Sequence, residues 1–289
     1  MKLDRRELFR LAAGGALACS EPAARAQATP AASLRAIAFD AFPIFDPRPV
    51  AELAESLLPG KGEALMNAWR TRQFEYQWLR VLSGRYADFL HVTEESLQFA
   101  DRQLGLELSG KQQQQLLSEW SNLKVWPDAG EAMHALRQAG LRLVVLSNMT
   151  AGMLVAGLKK ARLDHLFEAV LSTDQIRSYK PEPKSYQLAT DRLQLRREEI
   201  LFAAFAGWDV AGARWFGYPT FWVNRITAPA EELGVQANAA GRDLHSLVRF
   251  VLSTRSEPQR GNIYRRASTR QVAGPSAASP PASVPLSSG

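Results

Sequence analysis

Cysteine is nearly missing: the 289 residues contain one, Cys19, close to the N-terminus. A lone thiol excludes an internal disulfide framework, and removal of residues 1–28 would leave no cysteine for catalysis. A membrane-spanning run is missing too, because the apolar stretch Leu8 to Ala18 is short and rich in alanine and glycine. Histidine is scarce; His91, His134, His165 and His245 match no motif and read as surface or structural residues. A basic field is absent where it would count. The formal net charge is +6, but residues 1–28 hold five basic and three acidic side chains and residues 255–289 hold five and one, so residues 29–254 sum to zero. The body therefore lacks the electrostatic footprint of a nucleic-acid binder.

What the ends do carry is informative. Lys2 and Arg5-Arg6 precede Leu8-Phe9, an apolar middle follows, and Ala26-Gln27-Ala28 closes the segment. A charged start, a short apolar centre and a small-x-small end describe a cleavable export signal over residues 1–28, twin-arginine-like in its paired arginines. The expected consequences are the twin-arginine export machinery as a partner, a periplasmic location and no stable membrane insertion after cleavage. Ala16-Leu17-Ala18-Cys19 loosely resembles a lipoprotein box, which makes a lipid anchor on Cys19 the alternative. Residues 255–289 are rich in Pro, Ser, Ala and Arg with few large apolar side chains, and are expected to be disordered.

Between the ends, short apolar runs read as strands at Ala36 to Phe39, Leu141 to Leu146, Ala169 to Ser172, Ile200 to Ala204 and Thr220 to Val223. Helical patterns fill the gaps at Ala129 to Gln138, Thr150 to Ala161, Pro183 to Leu193 and Val210 to Phe216. Alternation of this kind predicts an α/β fold with a parallel sheet covered on both faces. From Val50 to about Gln114 strand signals vanish and helices are predicted at Val50 to Leu58, Gly62 to Ser83, Tyr86 to His91, Thr93 to Leu104 and from Gly110. The reading is a core of residues 34–46 and 130–254, with residues 47–129 inserted as an all-helical cap over the carboxyl ends of the strands, where open α/β sheets bind ligands.

Four features fall at that edge. Asp40 directly follows the first strand; Ser147-Asn148 end the second; Lys180 lies in Ser178-Tyr179-Lys180-Pro181, with Tyr186 six residues on; Trp208-Asp209 follow the strand Ile200 to Ala204. Taken singly each has an ordinary structural explanation: a turn aspartate, a helix cap, a surface lysine, a capping Asp beside a core Trp. In the loops after successive strands they form a set.

With that set, the chain resembles the haloacid dehalogenase superfamily, and within it the L-2-haloacid dehalogenases. The likeness runs from about Leu34 to Leu252 and includes the cap, where Trp69-Arg70-Thr71-Arg72-Gln73-Phe74-Glu75-Tyr76-Gln77-Trp78-Leu79-Arg80 and Ser83-Gly84-Arg85-Tyr86-Ala87-Asp88-Phe89 look like that subfamily's cap helices. The resemblance implies a Rossmann-like core and a halogenated carboxylate as substrate. It implies attack by Asp40 on C2, departure of halide, then hydrolysis of the Asp40 ester to a D-2-hydroxy acid. Lys180 would keep Asp40 ionised, Asp209 would hold Lys180 and help orient water, and Tyr186 would order the same network. Arg70 would meet the carboxylate and departing halide, Ser147 and Asn148 would bind the carboxylate, and Phe42, Phe74, Phe89 and Trp208 would surround the alkyl group and halogen. No cofactor and no metal is implied. Phosphatases of the superfamily carry acids two residues after the nucleophile and four before the last acid; here those positions are Phe42 and Phe205. The subfamily often dimerises, so a homodimer is expected.

The chain also departs from the pattern. Pro43-Ile44 stand where relatives have Gly-Thr, and Ala204 and Ala206 where they have Ser and Asn. Those lost side chains serve the hydrolytic half of the reaction, so ester hydrolysis is expected to be the slow step, by about tenfold to a thousandfold if one or two positioning bonds are gone. The competing readings are a hydrolase of another small carboxylate or of a phosphate ester, and a periplasmic carboxylate binder without turnover.

Overall fold

The computed structural model describes residues 34–256. The export segment, Cys19 and the tail from residue 257 lie outside the described residues. In chain order the elements are β1 (Ala36–Phe39), β2 (Phe45–Asp46), α1 (Arg48–Leu57), α2 (Gly62–Leu82), α3 (Phe89–Leu104), α4 (Gly110–Ser121), β3 (Lys124–Val125), α5 (Ala129–Gln138), β4 (Arg142–Ser147), α6 (Ala151–Lys160), β5 (Ala169–Ser172), α7 (Pro183–Leu193), β6 (Ile200–Ala204), α8 (Gly207–Phe216), β7 (Thr220–Val223), β8 (Ala239–Gly241) and α9 (Leu244–Ser256).

The sheet runs β5-β4-β1-β6-β7-β8 with every pairing parallel. Because side chains alternate along a strand, each strand feeds two cores. Ile37, Phe39, Leu143, Val145, Leu201 and Ala203 face α5, α6 and α9. Ala36, Ala38, Val144, Leu146, Ile200 and Phe202 face α7 and α8. Both faces are covered, which is why these strands are almost uninterrupted apolar runs. β1 sits between β4 and β6, so the loops that follow it diverge at a switch point in strand order, the place where such sheets open a crevice.

Helices α1 to α4 form the cap. The chain leaves and re-enters the core through a two-stranded antiparallel ribbon in which Phe45 faces Val125 and Asp46 faces Lys124. Cap packing centres on Val50, Leu65, Trp69, Leu97, Leu116 and Trp120, and Trp69 donates its indole N–H to Thr93 O at 2.8 Å.

Several element boundaries differ from expectation for local reasons. The two helices read over residues 86–104 are one, α3, started by Asp88, whose carboxylate accepts from His91 N–H at 2.9 Å, and stopped by Gly105 in the left-handed region (φ 58°). Helix α8 begins at Gly207 rather than Val210, so Trp208 and Asp209 lie in its first turn and not in a loop. The ribbon strands, β8 and α9 are additions. Helix α9 runs two residues past the boundary drawn at Thr254, and Arg255 Nη1 donates to Leu34 O at 2.9 Å.

Candidate functional site

Asp40 emerges from β1 with its N–H donating to Ala203 O at 3.0 Å, one rung beyond the strand. Its side chain is 9 % exposed; Oδ1 accepts from Lys180 Nζ at 2.7 Å and Oδ2 from Phe42 N–H at 3.2 Å. Lys180 Nζ also donates to Asp209 Oδ2 at 2.6 Å, and Asp209 Oδ1 accepts from the Tyr186 hydroxyl at 2.7 Å. A buried relay Tyr186–Asp209–Lys180–Asp40 thus joins α7, α8 and the loop between β5 and α7 to the end of β1. Gly212 of α8 makes room for it, since a Cβ there would overlap the Tyr186 hydroxyl.

Burial works against the charge on Lys180, but attraction from Asp209 and Asp40 outweighs it and leaves the ammonium with a raised pKa. Asp209 is pushed up to about 6, by burial first and also by the charge of Asp40, with Lys180 and Tyr186 pulling the other way.

Arg70 reaches the same place from α2. Its guanidinium lies 4.7 Å from the centre of the Phe74 ring, 4.8 Å from Trp120 and 5.5 Å from Phe42, and Nη1 donates to Gln73 Oε1 at 2.6 Å. Burial lowers its pKa to about 10, against the attraction of Asp40, so it stays cationic at neutral pH. Among the described residues it forms no salt bridge. A half-buried cation caged by aromatic faces, with no carboxylate in direct ion-pair contact among the described residues, is suited to receive an anion.

Between cap and core lies a cavity of about 450 Å³. Asp40, Phe42, Arg70, Phe74, Phe89, Ser147, Asn148, Lys180 and Trp208 all line it, so nine of the side chains singled out from the sequence share one wall. Asp209 and Tyr186 stand behind Lys180 instead. Both Asp209 oxygens are taken by Lys180 and Tyr186, so its direct task here is to hold the ammonium rather than to touch water. Asn148 also does more than face the cavity: Oδ1 accepts from Lys180 N–H at 2.8 Å and Nδ2 donates to Gln77 Oε1 at 3.0 Å, which fixes the loop carrying the lysine. Ser147 Oγ accepts from Met149 N–H at 3.2 Å.

The replaced positions have visible effects. Phe42 and Phe205, where superfamily phosphatases would place acids, pack ring against ring at 5.8 Å, turning two oxygen-bearing positions into apolar wall. Among the described residues no group of three or more His, Cys, Asp or Glu is placed to hold a metal ion. Ala204 is sealed inside β6, whereas Ala206 lines the cavity, so only at Ala206 does a shortened side chain enlarge the reaction space. The turn lacking the usual Thr is braced from outside by Arg225, whose Nη2 donates to Pro43 O at 2.9 Å and Asp128 Oδ1 at 2.8 Å.

Sequence reasoning assigned no role to Gln77, Trp120, Thr173 or the Ile226, Ala228 and Glu231 segment after β7. Gln73 and Gln77 follow Arg70 by three and seven residues, a polar pair inside a buried helical stripe, and that spacing was a usable signal. The segment after β7 has no periodicity to betray it.

The profile of a family described as haloacid dehalogenase-like hydrolase matches residues 19–217. The (S)-2-haloacid dehalogenase of Pseudomonas sp. (strain YL) is 34 % identical over 229 residues, covering 79 % of this chain and 99 % of the relative. A crystal structure of an L-2-haloacid dehalogenase aligns with TM-score 0.74 and 41 % identity over 76 % of this chain and 99 % of its own. That of the Xanthobacter autotrophicus L-2-haloacid dehalogenase with chloropropionic acid covalently bound aligns with TM-score 0.69 and 34 % identity, covering 76 % and 98 %.

Proposed function

Because the chain belongs to the haloacid dehalogenase-like hydrolases, we propose that it hydrolyses the carbon–halogen bond of short L-2-haloacids, releasing halide and a D-2-hydroxy acid through an ester on Asp40. The observation that carries this reading is the pairing, across one cavity, of a carboxylate held by Lys180 with the caged cation Arg70. Asp40 supplies an electron pair to C2 while the carbon–halogen bond breaks and the halide keeps that bond's pair. The attack is from the face opposite the halide, so C2 inverts. Arg70 meets the negative charge on the departing side, and Ser147 and Asn148 take the substrate carboxylate. Water then adds to the carbonyl carbon of the Asp40 ester in the volume beside Ala206 and Gly207; the bond from that carbon to the ester oxygen breaks, the water's oxygen stays on Asp40, and the hydroxy acid leaves with the former Asp40 oxygen, which takes one of the water's protons while the other passes to solvent. Halide needs no proton to leave, which suits a wall where Phe42 replaces an acid. The aromatic group Phe74, Trp78 and Trp208, with ring centres 5.3 to 6.0 Å apart, keeps that side of the cavity dry.

Halide release from each enantiomer of 2-chloropropionate, with a chelator present, tests the reading. The expected result is release from the L-enantiomer alone, unaffected by chelator, as a fast burst of about one equivalent per chain and a slower steady phase set by ester hydrolysis. Tight binding without halide release would instead support the carboxylate binder, and chelator-sensitive phosphate ester cleavage the phosphatase.

The pH profile follows from Asp209. As pH falls through about 6 it takes up a proton and loosens its hold on Lys180, so turnover declines on that acid limb. Stability responds with the opposite sign: a carboxyl with a raised folded pKa contributes fully below its ordinary value, and that contribution is lost as pH rises through about 6. Tyr186 holds the Asp209 pKa down, so in Tyr186→Phe the acid limb moves to higher pH. A limb that stays in place or moves lower counts against the relay.

The export signal over residues 1–28, passage through the twin-arginine machinery and a periplasmic location belong to the same proposal, supported by Arg5-Arg6 and Ala26-Gln27-Ala28. A homodimer through the cap is supported by Leu79, Leu82 and Leu90, which are exposed on α2 and α3.

A further inference from the structure

One amide in the cavity wall has no task in the chemistry above. Gln77 is fully buried on α2, one turn beyond Phe74 and two beyond Arg70, and lines the cavity with both. Its orientation is dictated by its neighbours. The Lys180 backbone N–H is an unambiguous donor, and it meets Asn148 Oδ1 at 2.8 Å; the Thr173 hydroxyl donates to the same oxygen at 3.3 Å. Asn148 must therefore turn Nδ2 toward Gln77, and Gln77 must answer with Oε1, as it does at 3.0 Å. That leaves Gln77 Nε2 pointing away from Asn148, buried and, among the described residues, with no acceptor. A buried donor without a partner is disfavoured unless a ligand completes it.

We propose that Gln77 Nε2 is a substrate-binding donor that takes one oxygen of the haloacid carboxylate, beside Ser147 and Asn148, while Arg70 serves the halogen side. The assignment rests on the dehalogenase reading. The carboxylate is preferred to the halide as its acceptor because Gln77 is tied to the Asn148 end of the cavity, whereas Arg70 lies among the rings of Phe42, Phe74 and Trp120. A carboxylate offers about four acceptor sites, more than Ser147 and Asn148 fill.

The test is calorimetric titration of the full chain with propionate, which has the carboxylate and no halogen, and with bromide, which has only the leaving group's chemistry. In Gln77→Met the Kd for propionate is expected to rise about tenfold, the loss of one good hydrogen bond, with bromide binding unchanged. Gln77→Glu keeps an oxygen for Asn148 but removes the donor, and is expected to weaken propionate further. Wild-type propionate affinity in Gln77→Glu would show the amide to be only a brace for Asn148 and would overturn the proposal. So would a Gln77→Met variant in which bromide and propionate weaken together, or a wild-type chain that binds no propionate. A wild-type chain that binds propionate through Gln77 yet releases no halide would overturn the proposed reaction and leave this site standing.

Discussion

Lys180→Met is expected to lower halide release by about a thousandfold or more and to destabilise the fold at pH 8 by about 3–5 kcal/mol, the usual result of breaking a buried ion pair from one side. The Lys180 side chain is 1 % exposed and serves two carboxylates at once. Without it, Asp40 and Asp209 confront each other in a dry interior with no cation between them. Burial and the Asp40 charge already push the Asp209 pKa up with the lysine present, so without it Asp209 protonates more readily still. Stability of the variant is therefore expected to recover as the pH is lowered toward 5, whereas activity is not, because a neutral Asp209 supplies no ammonium. Denaturant unfolding at both pH values checks this; equal stability of variant and wild type at pH 8 would mean that the lysine does not hold the two acids together.

Asp40→Asn is expected to abolish halide release, by about 10⁴-fold or more, since Asp40 is the cavity-lining carboxylate held by Lys180, and the other acid in the lining, Glu231, comes from the segment after β7 and has no such partner among the described residues. The fold should survive, because Asn retains an oxygen for Lys180 and Asp209 still neutralises the ammonium. Binding should survive too: propionate is expected to bind the variant at least as tightly as wild type, with one negative charge fewer facing it. Loss of turnover together with loss of propionate binding would point to a collapsed site and not to a missing nucleophile.

The strands and most core helices were legible because a sheet covered on both faces leaves a plain mark, four to six apolar residues between turns. The six-strand order and Asp40's place beside β6 depend on pairings distant in sequence, which periodicity does not encode. β8 is three small residues, Ala239 to Gly241, on the sheet edge, and the ribbon strands are two residues each; neither is long enough to show a period. The start of α8 was obscured by Gly207, a poor helix former in a helix interior but harmless at the first position, where the N–H has no intrahelical partner. Of the site, Asp40, Lys180, Asp209 and Arg70 were readable through resemblance and sheet-edge placement. The idle donor on Gln77 was not, because it exists only once Lys180 N–H has set Asn148, and Asn148 has set Gln77.

The most direct measurement follows one oxygen atom. With enzyme in excess over L-2-chloropropionate in heavy-oxygen water, a single turnover is expected to yield lactate free of heavy oxygen and a peptide in which the Asp40 carboxylate has gained it, since the product takes its oxygen from the enzyme and water repays it at the carbonyl carbon. Heavy oxygen in the first lactate released, with Asp40 unlabelled, would mean that water attacks C2 directly and that the ester on Asp40 never forms.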